Sequence, residues 1–310
     1  MSDTLILLAG VICAGVGGEL FVRGIVGIAH WARVSPAIVA TTLAAFATSS
    51  PELTVAVNSA LAGAPEISLG DALGSNVVNV ALILALAALI APIAAPRDSV
   101  KRDFPVTLLV PVLVGALSLD GMVSRMDGVA LLSAFLIWLL TVLVEARRQR
   151  SSAEKVLGES RGWLAATLCV AGLALLIVAG RLIVVGAQGI AAAFGIDPFI
   201  IGATLVAVGT SVPELATAIV SQLRRHGEVG LGTVLGSNVF NALFIIGVAA
   251  TITPIRVAWN EVSLTLLFGI ATVAVTFPGR RATIGRGRGL LLLVLYVLYV
   301  TLIIAPMRTL

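Results

Sequence analysis

Ala47-Thr48-Ser49-Ser50-Pro51-Glu52 puts one carboxylate, three hydroxyls and a proline inside an otherwise apolar run. The chain repeats the pattern 162 residues later, from Glu52 to Glu214, as Gly209-Thr210-Ser211-Val212-Pro213-Glu214. Each copy is followed at one fixed interval by Gly-Ser-Asn, at Gly74-Ser75-Asn76 and Gly236-Ser237-Asn238. An acid in lipid beside a proline and hydroxyls, present twice, reads as an ion site rather than as packing.

The composition around these segments is that of a membrane protein. Of 310 residues, 59% are hydrophobic and 12% charged, and the mean hydropathy is +1.09; soluble domains carry about a quarter charged residues. Apolar runs of membrane-crossing length, about 20 residues, recur with no long polar tract between them. The expectation is an all-α polytopic protein with one transmembrane domain. The net charge of +4 reflects basic loops between spans, which topology explains better than a nucleic-acid partner. Cys13 and Cys169 lie singly in apolar runs and read as inert packing residues. The first run contains Glu19 and lacks a basic leader and a cleavage site, so it reads as a retained span.

Hydropathy, broken at charged and Pro/Gly clusters, predicts ten spans: 4–26, 36–61, 67–91, 104–119, 128–145, 162–187, 198–222, 228–251, 262–277 and 289–306. The longest polar connection, Glu145 to Arg161, divides them five and five. Residues 1–146 then form a first five-helix repeat, 147–161 a cytoplasmic linker and 162–310 a second repeat. Written at the offset of 162, Pro36 falls on Pro198, Thr42 on Thr204, Gly70 on Gly232, Asn79 on Asn241 and Pro92 on Pro254. Five is odd, so the second repeat enters the membrane from the opposite side, and the repeats are inverted. Fifteen of the twenty Lys and Arg residues fall in loops on one side, which the positive-inside rule makes cytoplasmic. Both termini are thereby expected outside the cytoplasm, in an integral protein of the plasma (inner) membrane. Trp31, Trp138, Trp163 and Trp259 fall near span ends and read as interfacial anchors. Glu19 and Arg23 read as a structural i,i+4 pair.

The proline shows how a helix can present cation ligands. It has no N–H and clashes with the preceding turn, which is expected to leave carbonyls free near Ala45 and Ala207. With the hydroxyls of Thr48, Ser49, Thr210 and Ser211 and the carboxylates of Glu52 and Glu214, these are hard donors suited to Na+ and Ca2+. The Gly-Ser-Asn segments add Ser75 and Asn79, and Ser237 and Asn241, with the second asparagine 27 residues after the glutamate in both halves. Each element alone could be a kink or a small-residue packing face. Two glutamates at mid-span, beyond reach of the interface, outweigh that reading.

These segments resemble the alpha-repeats of the cation/calcium antiporter superfamily, in particular its Na+/Ca2+ exchanger branch. The motif likeness covers 36–92 and 198–254, and the ten spans with a short central loop are similar to prokaryotic members without a large cytoplasmic domain. The resemblance implies Glu52, Asn79, Glu214 and Asn241 as central ligands, with Thr48, Ser49, Ser75, Thr210, Ser211 and Ser237 in sodium contacts. It also implies that spans 1 and 6, which are rich in glycine, slide across the other eight. Two departures stand out: Ala47 replaces the glycine of the second copy, and Asn241 stands where some relatives, including potassium-dependent ones, have aspartate. The function expected is electrogenic, alternating-access Na+/Ca2+ antiport for calcium extrusion, with Na+ and Ca2+ as transported ions. The alternatives are an H+/Ca2+ or other divalent-cation antiporter and a passive cation channel. No cofactor, nucleic acid or obligate protein partner is implied, and no nucleophile–base pair or phosphate loop suggests an enzyme.

Overall fold

The computed structural model describes residues 3–152, 162–193, 207–257, 259–278 and 282–304. Within them each of the ten apolar runs contains helix. The helices are α1 (Asp3–Ala32), α2 in two pieces (Pro36–Thr48 and Ser50–Leu61), α3 (Glu66–Ile90), α4 (Phe104–Leu117) and α5 (Arg125–Ser152). After 153–161, which lie outside the described residues, come α6 (Gly162–Ala193), α7 in two described pieces (Ala207–Thr210 and Val212–Leu223) and α8 (Gly227–Ile252). The last two are α9 (Trp259–Thr276) and α10 (Arg286–Ile304). The linker expected at 147–161 begins as a continuation of α5, and the part of the seventh run at 198–206 lies outside the described residues. Six helices, α1, α3, α5, α6, α8 and α10, are long and apolar enough to cross a membrane. This is an all-helical polytopic membrane fold.

Burial sorts the helices into layers. In their most apolar stretches α3 and α8 are 72% and 78% buried, against 17–28% for α1, α5, α6 and α10. The outer helices turn large apolar side chains outward, among them Ile12, Ile137, Val170 and Val297, which is stable where the solvent is hydrocarbon. α3 and α8 are thus the axis of the molecule, and the polar motifs lie on them and on the two interrupted helices.

The axis helices run antiparallel. Gln222, just before α8, donates from Nε2 to the Ala91 carbonyl at the end of α3 (2.6 Å). At the other end of α8, Thr253 donates to the Ala60 carbonyl, just before α3 (2.9 Å). Two short antiparallel ribbons lie at the ends of these helices. β1 (Ile93–Ala94) pairs with β4 (Thr283–Ile284), and β2 (Met122–Val123) with β3 (Ile255–Arg256). The register Ile93↔Ile284 in one ribbon is matched by Val123↔Ile255 in the other, the same pair of repeat positions with the halves exchanged.

α1 and α6 pack along their length because glycines let the backbones touch. A Cβ on Gly24 would come within 2.5 Å of the Cys169 amide nitrogen, and one on Gly172 would collide with the backbone nitrogen of Phe21. Cys169 is buried at this seam, and the free thiol serves packing. One expectation is corrected: Trp138 is only 5% exposed and packs with Phe135 in the core, whereas Trp31 and Trp163 are over 60% exposed. Hydropathy places Trp138 near a span end, but α5 runs to Ser152 and leaves it well inside the helix. Gly172→Leu is expected to cost about 1–3 kcal/mol by overpacking. Its thermal midpoint in detergent should fall clearly below that of Gly15→Leu, since nothing lies within 4 Å of a Cβ at Gly15 among the described residues.

Candidate ion-binding site

Both interrupted helices break at the same place. Ser49 (φ −84°, ψ 11°) and Ser211 (φ −86°, ψ 7°) leave the α region, and a new helix starts at the next residue with the proline in its first turn. There a missing N–H costs nothing. Glu52 and Glu214 therefore stand in the first turn of a helix, where the positive end of the macrodipole favours a carboxylate. Both are only 1% exposed. Local chain chemistry thus delivers two buried acids to the middle of the molecule.

The expectation about free carbonyls is partly corrected. Ala45 O accepts the Ser49 N–H at 3.0 Å and lies 3.4 Å from the Thr48 hydroxyl. The carbonyl that Pro51 fails to bond is that of Ala47, four residues before it, and the Ser50 hydroxyl takes it at 2.7 Å. A proline frees the carbonyl at its own i−4 position, and the sequence reading placed the opening two residues too early. Ala207 is described only as the start of the short helix Ala207–Thr210.

The halves interlock around the acids. Ser49 and Ser237 both donate to Glu214 Oε1, each at 3.2 Å. Thr48 hydrogen-bonds Glu214 and Thr210 hydrogen-bonds Glu52, so each acid is held by the threonine of the other half. Where α3 and α8 cross, four asparagines exchange bonds. Asn76 Nδ2 donates to the Asn238 carbonyl and Asn238 Nδ2 to the Asn76 carbonyl, both at 3.1 Å. Asn79 Nδ2 donates to Asn238 Oδ1 (3.0 Å) and Asn241 Nδ2 to Asn76 Oδ1 (3.2 Å). Asn79 and Asn241 also lie in matching π-helical turns, Val78–Leu84 and Phe240–Ile245, a local widening common at functional sites.

This clamp spends the amide donors and leaves oxygens over. Six buried side-chain oxygens here have no hydrogen-bond partner: Glu52 Oε2, Ser75 Oγ, Asn79 Oδ1, Ser211 Oγ, Glu214 Oε2 and Asn241 Oδ1. An unsatisfied buried polar atom costs about 1–3 kcal/mol, so six together in a folded protein call for a cationic partner. All six are hard oxygens. The structure thus gathers Thr48, Ser49, Glu52, Ser75, Asn79, Thr210, Ser211, Glu214, Ser237 and Asn241 into one interlocked group. Sequence reasoning missed two kinds of residue. Asn76 and Asn238 were read only as part of a motif, although they hold the second asparagines in place. Asp71, in α3, is close enough for its charge to act on Glu52; its signal was an acid inside an apolar run, four residues before Ser75.

One flank of the group is open and its counterpart closed. A cavity of about 530 Å³, lined among others by Thr54, Gly180, Arg181, Thr210 and Pro213, runs between α6 and the two broken helices. At the repeat-related place on the other flank, a Cβ on Gly18 would lie 2.9 Å from Val220 and 3.3 Å from the Ala216 carbonyl. There Glu19 bonds both Arg23 (2.5 Å) and Arg224 (2.6 Å), tying α1 to the end of α7. The expected Glu19–Arg23 pair is present, with an added partner from another helix.

Comparison with known proteins agrees with this geometry. The profile of the family described as Sodium/calcium exchanger protein matches residues 2–144 and 164–305. The chain belongs to this family. Inner membrane protein YrbG of Escherichia coli is 33% identical over 304 residues, covering 94% of this chain and 88% of that one. Sodium/calcium exchanger MaX1 of Methanosarcina acetivorans is 26% identical, covering 96% and 97%. The solved sodium/calcium exchanger of Methanococcus jannaschii superposes with a TM-score of 0.82 at 30% identity, over 96% of this chain and 97% of that one. Family membership makes the chain an integral membrane transporter of the cation/calcium antiporter superfamily and not an enzyme.

The clamp sets a structural expectation. Asn238→Ala strands the amide of Asn76 and frees that of Asn79, and should lower stability by about 1–3 kcal/mol. Asn76→Ala with Asn238→Ala should cost less than the sum of the two single changes, because they share partners. Thermal unfolding in detergent of all three variants checks both statements.

Proposed function

We propose that this protein is a Na+/Ca2+ antiporter that works by alternating access and extrudes calcium electrogenically. The observation that carries the reading is the set of six buried, unpartnered hard oxygens contributed by both halves. Glu52, Asn79, Glu214 and Asn241 are the central ligands, with the hydroxyls of Thr48, Ser49, Ser75, Thr210, Ser211 and Ser237 in the flanking sodium contacts. The carbonyls of Ala45 and Ala207 are the weakest members of the set, Ala45 being already engaged.

Two ionised glutamates carry a charge of about −2, which one Ca2+ neutralises. Na+ needs the same oxygens, so the two loads compete, and competition for one centre couples the fluxes. Any Na+ beyond two per Ca2+ moves net charge, worth about 2.3 kcal/mol per charge per 100 mV. A tenfold Na+ gradient adds about 1.4 kcal/mol per ion.

The halves 1–146 and 162–310, joined by 147–161, act as inverted repeats of five helices within one transmembrane domain. The antiparallel α3 and α8 and the exchanged registers of the two ribbons support this. With the basic loops cytoplasmic in the plasma (inner) membrane and both termini outside, the open cavity faces outward and the Glu19–Arg224 tie lies on the cytoplasmic side. In this state α1 closes the inner route, and its glycine seam with α6 lets the two move together across the other eight helices.

In proteoliposomes, outward-directed Na+ is expected to drive uptake of radiolabelled Ca2+, and Glu52→Gln or Glu214→Gln to abolish it. Exchange that persists in both variants overturns the ligand assignment. Calcium flux driven by a pH step and indifferent to Na+ would instead favour proton coupling, and downhill flux that needs no counter-ion would favour a pore.

A further inference from the structure

The repeat symmetry of the centre fails at one position with a charge. Asp71 lies in α3 four residues before Ser75, and the offset of 162 puts Thr233 at the same place in α8. Thr233 is fully buried and satisfied, its hydroxyl donating to the Val229 carbonyl at 2.9 Å. Asp71 is not: its Oδ2 is shielded from solvent and has no hydrogen-bond partner, and no Lys or Arg forms an ion pair with it among the described residues.

Helical spacing puts Asp71 and Ser75 on one face of α3. Ser75 Oγ and Glu52 Oε2, both buried, also lack partners. The acids do not converge on a single ion, because no three Asp, Glu, His or Cys side chains among the described residues are grouped closely enough to hold one metal. Asp71 therefore stands beside the centre rather than in it. A shielded carboxylate with no counter-charge costs several kcal/mol, and a cation from solution can supply that charge.

We propose that Asp71, together with Ser75 and the unpartnered oxygen of Glu52, forms a satellite position for a monovalent cation on the first-half side of the centre only. The proposal rests on Glu52 being an ion ligand. Divalent ions are disfavoured there, because Ca2+ takes about 6–8 oxygens and Mg2+ a near-ideal octahedron, and this position offers few oxygens, one of them on a residue of the central site. Charge points the same way. Three ionised acids carry about −3, which three monovalent ions balance and one Ca2+ does not, so Asp71 tilts the shared centre toward the sodium load.

The test compares wild type, Asp71→Asn, Asp71→Glu and Glu52→Gln in proteoliposomes, together with thermal unfolding of each purified protein titrated with NaCl or CaCl2. Asp71→Asn is expected to raise the half-maximal Na+ concentration by about fivefold or more and to flatten its dependence on concentration. It should also reduce stabilisation by NaCl while half-saturation by Ca2+ moves by less than about threefold. Asp71→Glu should recover most of the Na+ response. A wild-type Na+ curve in a folded Asp71→Asn protein overturns the satellite position, as does an equal loss of Na+ and Ca2+ affinity. Should Asp71→Asn not fold, a wild-type Na+ curve in Asp71→Ser overturns it and a weakened one supports it. Exchange that survives in Glu52→Gln is the separate failure of the ligand assignment itself.

Discussion

Where α3 and α8 cross, Asn76 and Asn238 each donate to the other's backbone carbonyl, and the arrangement of the centre depends on that exchange. Each bond by itself contributes modestly inside a membrane protein, on the order of 1 kcal/mol. Their effect is geometric. An amide has one acceptor oxygen and one donor nitrogen, so using the nitrogens of Asn79 and Asn241 to reach Asn238 and Asn76 leaves their oxygens facing the glutamates' side of the crossing without a donor. A slip of one residue between the two helices would break all four bonds and turn the oxygens away.

The interrupted helices meet the same constraint from the other side. In a bilayer, broken backbone is tolerated only where it is buried in protein or lines a cavity. The break at Ser49 is sealed locally, by the Ser50 hydroxyl on the Ala47 carbonyl, and the matching break at Ser211 is followed by Val212, which has no hydroxyl to offer. The halves are therefore related but not equal. The cavity opens beside Thr54 and Thr210 on one flank, while Gly18 and the Glu19–Arg224 tie close the other. One chain holding two near-copies of a device in opposite conditions is the arrangement alternating access requires.

Much of the site was legible because its signals are scarce in a membrane protein. A polar residue in an apolar run has few reasons to be there, and when Glu52, Ser75 and Asn79 recur at one offset as Glu214, Ser237 and Asn241 the pattern identifies a centre and a duplicated fold together. Asp71 escaped because the repeat was the detector, and Thr233 at the matching position carries no charge. Trp138 was misread because hydropathy ends a span at the first charged cluster, whereas α5 continues past Glu145 as helix.

By itself the sequence determined the membrane class, the positions of the ten apolar runs, the duplication and the hard-oxygen character of the site, because these follow from composition and spacing along the chain. The tertiary structure decided which oxygens are left without donors, which flank is open, and that Asn76 and Asn238 serve as positioning residues. Those outcomes depend on how α3 and α8 cross and on which helix each hydrogen bond reaches. The bonds that settle them join residues 159 to 165 positions apart, and spacing within one helix carries no information about their direction.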